Sequence, residues 1–188
     1  VDRIGKLSRH ILLITRMAFY GIPSVLLGIW CLMDTNLIRE LIGQGVLFDP
    51  VSTPEGMVNL ANVKWTLTAK LTAIAGEIIG FMPLYLSLFL LKKIFLNYSK
   101  GQIFLKENAT FYKRLGLLCI VDAMLAKPLN SMLMILAVTL SNAPGHRYLS
   151  ISFGTLNLGK LYGGLIIMVI SWVMYQACQI EEDQRHTI

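Results

Sequence analysis

Four apolar stretches, residues 11–33, 67–91, 115–140 and 159–179, dominate this chain of 188 residues. A helix needs about 20 apolar residues to cross a hydrocarbon core roughly 30 Å thick. Inside lipid every backbone N–H and C=O must find a partner, which a helix supplies from its own chain. The pattern predicts an all-α fold: one membrane domain over residues 1–188, an integral membrane bundle of four transmembrane helices. The chain is 55% hydrophobic and 15% charged, with mean hydropathy +0.61, whereas soluble domains carry about 25% charged residues. Pro23 and Pro83 fall inside the first two stretches and are expected to loosen them, each removing one intrahelical hydrogen bond.

The placement of Lys and Arg predicts orientation. Arg3, Lys6, Arg9 and Arg16 precede or open the first stretch, and Lys92, Lys93, Lys100, Lys106, Lys113 and Arg114 lie between the second and third. The opposite side has only Arg39, Lys64, Arg147 and Lys160. Ten against four places both termini and the 92–114 loop in the cytoplasm, with 34–66 as an outer segment. The net charge of +6 therefore reads as membrane flanks meeting the anionic lipid bilayer, with no direct nucleic-acid partner. The sequons at Asn97 and Asn108 fall on this cytoplasmic side and are read as chance occurrences. The basic start reads as a cytoplasmic flank rather than a signal peptide. In the outer segment, Leu37, Ile38, Leu41 and Ile42 have helical spacing, predicting a short interfacial helix within 36–48. Pro50, Pro54 and Gly56 predict an irregular cap over 49–62, and Asn142, Pro144, Gly145 and Gly154 a loop over 141–158.

Ionisable groups in the middle of such spans are costly and persist where paired or facing a polar interior. Glu77 lies ten residues into the second stretch and Lys127 twelve into the third, both near the midplane. Those stretches are antiparallel neighbours in sequence, so a Glu77–Lys127 ion pair is the natural expectation. Asp122 is five residues from Lys127, about 140° away on a regular helix, and would need Pro128 to distort the turn to meet it. It has no evident mate in the sequence. Asn130 adds a hydrogen-bonding amide at similar depth. A pair that fixes helix register and a proton- or ion-coupled site are both open readings of these residues.

Gly76 and Gly80, and Gly159 and Gly163, form two G-x-x-x-G patterns that suit close helix packing, within the chain or between copies. The 92–114 loop interleaves its cations with Phe95, Tyr98, Phe104, Phe111 and Tyr112, predicting a helix along the leaflet or a surface for a cytosolic partner. Cys31, Cys119 and Cys178 have no metal or redox spacing and read as buried free thiols. His10, His146 and His186 are scattered. No hydrolase, zinc-protease, P-loop or dinucleotide motif is present, so neither an enzyme nor a cofactor or metal site is expected.

The stretch Tyr98-Ser-Lys-Gly-Gln-Ile-Phe-Leu-Lys-Glu-Asn108, followed by Leu115-Gly116, resembles the G-x-x-F-x-x-x-N pattern ahead of the third span in the DUF2975 family of small bacterial membrane proteins. The tail Glu181-Glu-Asp-Gln-Arg-His-Thr187-Ile188 is similar to that family's acidic ending. The resemblance implies a bacterial inner membrane and a link to a small helix-turn-helix regulator, and no particular activity. The expected function is that of a non-enzymatic sensor or accessory subunit. Its basic surface of Lys92, Lys93, Lys100, Lys106, Lys113 and Arg114 would face a protein partner or lipid. The alternative is a small oligomeric transporter or channel using Glu77, Asp122 and Lys127.

Overall fold

A computed structural model describes residues 2–143, 145–151 and 157–186, with the side chains of 5–143, 145–151 and 157–184. Pro144, Gly154, Thr187 and Ile188, all invoked above, lie outside the described residues. The architecture is all-α with one small hairpin. Helices α1 (Asp2–Cys31) and α2 (Asn36–Gly43) are followed by strands β1 (Val51–Thr53) and β2 (Gly56–Val58) and a 3-10 turn (Leu60–Asn62). Then come α3 (Leu67–Ser99), α4 (Lys106–Val121), a π-helical turn (Asp122–Ala126), α5 (Lys127–Thr139) and α6 (Leu158–His186). Among the described residues four helical runs, 5–31, 67–99, 106–139 and 158–184, are long and apolar enough to cross a membrane. Pro23 and Pro83 sit within continuous helices.

The segment from 92 to 114 is not a separate helix along the surface. It continues α3 to Ser99 and opens α4 at Lys106, leaving only 100–105 as the connection. Gly101 takes φ 76°, its N–H bonds Tyr98 O, and the N–H of Gln102 bonds Asn97 O. This is the paired 6→1 and 5→2 pattern that ends a helix on a left-handed glycine. Asn108 is fully buried; its Nδ2 donates to the carbonyls of Gln102 and Ile103, each at 2.9 Å, and its Oδ1 accepts from Asn97 Nδ2 at 2.8 Å. Two of the residues that carry the family pattern, Gly101 and Asn108, thus build the turn. Both sequon asparagines have a structural role that chance occurrence did not anticipate.

The chain divides into two compact units: Val1–Gly21, Pro83–Ala123 and Leu156–Ile188 in the first, Ile22–Met82 and Met124–Thr155 in the second. In the first unit α4 and α6 run antiparallel. Asp122 meets Lys160, Ser171 Oγ donates to Ala109 O at 2.7 Å, and Lys106 pairs with Glu182 at 2.6 Å. Leu90, Ile94, Phe111 and Leu115 form its core. The second unit is built on Trp30, Met33, Ile42, Leu60, Ala73 and Val138. Thr35 caps α2, which buries Ile38 and Ile42. What the sequence presented as an irregular cap is a two-residue hairpin, with Thr53 opposite Gly56 and Val51 opposite Val58. Pro54 presets the turn and Gly56 takes φ 127°, a conformation that L side chains rarely adopt.

Candidate functional site

Pro128 has no N–H and its ring clashes with the carbonyl four residues back, so the helix before it must yield. It widens into the π turn Asp122–Ala126. The distortion does not bring Asp122 to Lys127. Asp122, its side chain 12% exposed, instead accepts a hydrogen bond from Lys160 in the first turn of α6. The expectation that Asp122 lacks a mate is therefore corrected. Lys160 reads in the sequence as a flank of the fourth stretch, but the register of α6 on α4 sets it beside the end of α4.

Close approach of those two helices depends on Gly116 and Gly164. A Cβ on Gly116 would lie 2.6 Å from Gly164 O, and one on Gly164 2.8 Å from Gly116 O. Gly159 and Gly163, read above as a packing pair, meet no other helix at their Cβ positions among the described residues: a Cβ on Gly163 has open space around it and one on Gly159 meets only Asn157. One residue of register, a rotation of about 100°, separates the packed glycine from the expected one.

In the second unit Glu77 is buried at 6% exposure. Among the described residues it forms no ion pair, and Lys127 forms none either. The expected Glu77–Lys127 pair is absent because Lys127, the first residue of α5, is exposed together with Met124, Leu125 and Leu129 while Pro128 is buried. Its long stem can carry the ammonium toward a polar surface. Asn130 occupies the notch formed by Gly76 and Gly80: a Cβ on Gly80 would come 2.6 Å from Asn130 Nδ2, and one on Gly76 3.0 Å from Leu133 Cβ. Asn130 Oδ1 is buried and makes no hydrogen bond among the described residues. Gly76 and Gly80 therefore pack α3 against α5, and among the described residues the Glu77 carboxyl has no ion pair and the Asn130 amide oxygen no hydrogen bond.

The basic residues of the first unit are held in different ways. Lys92 Nζ lies 5.6 Å from the Phe19 ring centre, and Lys93 Nζ 4.9 Å and 5.3 Å from those of Phe89 and Phe111, distances at which ring faces attract cations. Lys106 is paired with Glu182. Lys100, Lys113 and Arg114 are exposed and make no ion pair among the described residues. Phe104 is 52% exposed.

One cluster escaped the sequence reading. Glu55, at the hairpin tip, accepts a hydrogen bond from Tyr148 Oη at 2.6 Å, and its Oε1 lies 2.7 Å from His146 Nδ1. These bonds hold the Glu55 carboxyl below its ordinary pKa and push the Tyr148 phenol up. The pairing joins residues more than 90 positions apart, and only the turn signal Pro54-Glu55-Gly56 hinted at it. The cysteines are free; Cys178 is buried, but Cys31 is exposed, contrary to expectation. Among the described residues no three His, Cys, Asp or Glu side chains converge as a metal site.

A family model described as a protein of unknown function, DUF2975, matches residues 13–188. The chain belongs to the DUF2975 family. No curated protein and no solved structure matches it. The match takes in all four apolar helical runs almost entirely, so the features above belong to a DUF2975 membrane protein rather than to an appended segment. In this DUF2975 chain no catalytic motif accompanies the buried polar groups.

Proposed function

We propose that the protein is a non-enzymatic accessory or sensor subunit of a bacterial inner membrane, docking a protein partner on the turn between α3 and α4. Both termini and that turn face the cytoplasm in this reading, which the bias of Lys and Arg supports. The observation that carries it is Phe104. Gly101 and Asn108 of the same motif are consumed in building the turn, whereas the aromatic ring between them is 52% exposed and packs into neither core. Exposed aromatics beside unpaired cations are the residue types that anchor interfaces. Lys100, Lys113 and Arg114 supply the cations, while Lys92 and Lys93 lie over aromatic rings and Lys106 is paired with Glu182. By the family resemblance a helix-turn-helix regulator is the first partner to try; a second copy of the chain is the other.

A photo-crosslinking amino acid at position 104 of the intact protein is expected to capture a discrete partner in native membranes. Lys100→Glu combined with Arg114→Glu is expected to abolish capture. Unchanged capture in that variant would refute the surface.

A transport reading rests on a different observation, the unpaired Glu77 carboxyl beside the notch that holds Asn130. It calls for ion or proton flux in proteoliposomes that Glu77→Gln removes. Asp122, satisfied by Lys160, has no part in it, and Lys127 is exposed.

A further inference from the structure

The two basic segments that the sequence separates by some 90 residues meet in the first unit. Near its start α1 packs against the end of α3, Gly5 facing Ser99 O, and an open groove of about 310 Å³ lies between them. Lys6 and Arg9 line it from α1, Tyr98 and Ser99 from α3, and Lys100 and Gly101 from the turn that follows. Lys6, Arg9 and Lys100 are exposed, and among the described residues none of them makes an ion pair. Among the described residues no carboxylate lines the groove. Three like charges brought to one cleft repel one another, and here the fold supplies no anion among the described residues to offset them. A volume near 300 Å³ is at the lower end of what small-molecule sites occupy.

The groove also stands at a definite place relative to the apolar runs. Arg9 comes two residues before Ile11, where the first apolar stretch begins, and Lys6 one turn before that. At 1.5 Å per helical residue they lie about 3 and 8 Å from the hydrocarbon edge. The headgroup layer is roughly 5–8 Å thick on each side. Tyr98 adds the amphipathic ring enriched at that level, its hydroxyl 3.1 Å from that of Tyr112.

We propose that this groove binds the phosphate headgroup of an anionic phospholipid, held by Lys6, Arg9 and Lys100. Charge and depth both favour a lipid phosphate over a soluble ligand: the acyl chains would lie along the apolar faces of α1 and α3 while the phosphate enters the cleft. The site shares Lys100 with the docking surface at Phe104, but Lys6 and Arg9 belong to α1 and can be changed with residues 98–114 intact, so the two readings are tested separately.

The test uses the full chain purified in neutral detergent, with bound lipids counted by native mass spectrometry. Phosphatidylglycerol is offered against phosphatidylcholine of the same acyl chains. The wild type is expected to retain the anionic lipid selectively. A cation at an anionic surface contributes about fivefold, so Lys6→Gln with Arg9→Gln is expected to lower the selectivity by roughly 25-fold. Lys64→Gln, a change in the second unit that does not line the groove, leaves it intact. Equal selectivity in the double variant, or equal loss in Lys64→Gln, overturns the site. Full displacement of the lipid by inorganic phosphate also overturns it, since the ligand would then be a free anion. A photoactivatable phosphatidylglycerol on the unmutated protein supplies a readout that does not depend on any variant folding. Labelling is expected on peptides containing residues 5–9 or 98–101, and labelling confined elsewhere refutes the proposal.

Discussion

Lys160, the third residue of α6, reaches Asp122 just past the end of α4. The pair lies at one end of the antiparallel α4–α6 contact, and Lys106 with Glu182 lies at the other. Removing one member of a buried pair strands the other charge and costs about 3–5 kcal/mol. Lys160 is 44% exposed, so the loss here is discounted to about 1–2 kcal/mol. Asp122→Asn is expected to lower the midpoint of thermal unfolding in micelles, and Asp122→Leu with Lys160→Met to recover most of it. A double variant as unstable as the single would show that the pair does not set the register.

Gly116 and Gly164 make a sharper test of that contact. Gly116→Ala places a methyl 2.6 Å from a backbone carbonyl and from Met168 Cγ, so the helices must separate. A loss of about 2 kcal/mol or more is expected, in the range of overpacked cores. Gly163→Ala meets open space and is expected to be neutral or slightly stabilising, because helical glycine costs about 1 kcal/mol relative to alanine. Equal destabilisation by the two variants, followed by unfolding in detergent, would contradict the register.

Asn108→Ala strands the carbonyls of Gln102 and Ile103, which it bonds from a fully buried position. Gln102 is exposed and Ile103 half-buried, so water can reach the freed carbonyls and the loss is expected at the lower end, about 1–3 kcal/mol in all. Limited proteolysis should then cut within 100–105 in the variant before the wild type. Asn97→Ala, which removes one bond to the same side chain, is expected to have the smaller effect.

The Glu55 cluster makes the hairpin pH-sensitive. Its folded pKa lies below the ordinary 4.5, so its contribution is present above that value and is lost as pH falls through the lower, folded one. The Tyr148 phenol is shifted up, so its contribution is present below the ordinary value of 10.0 and is lost as pH rises beyond it. Hydrogen exchange at 51–58 is therefore expected to be slow at neutral pH and to accelerate, relative to the intrinsic rate, as the pH falls below 4.5. In Glu55→Gln the acid-side change should vanish; if it persists, another group governs it.

Much of the fold was legible because it follows from local rules. α3 begins at Leu67, where the second apolar stretch begins, and α6 begins one residue before the fourth. The period of Leu37, Ile38, Leu41 and Ile42 announced α2, and Pro128 announced a distortion ahead of it. The hairpin was not legible, since two strands of three residues are too short to display an alternation. Helix lengths beyond the apolar runs were missed for a related reason. Polar residues at 92–99 and 106–114 say where hydrocarbon ends, and a helix continues until a turn such as that at Gly101 stops it.

The pairing of the polar residues belonged to the tertiary structure. Counting residues into each span gives depth but neither rotation nor the sliding of one helix along another. About 100° of rotation separates Gly163 from Gly164, and the sliding of α6 along α4 decides that Asp122 meets Lys160. The same packing leaves Glu77 buried without an ion pair among the described residues, exposes Lys127 and gathers Lys6, Arg9 and Lys100 into one groove. By itself the sequence determined that the chain forms four long apolar helices, since hydrophobicity and backbone hydrogen bonding act residue by residue. Which charges face one another was decided by packing, where one residue of register redirects every side chain on a helix.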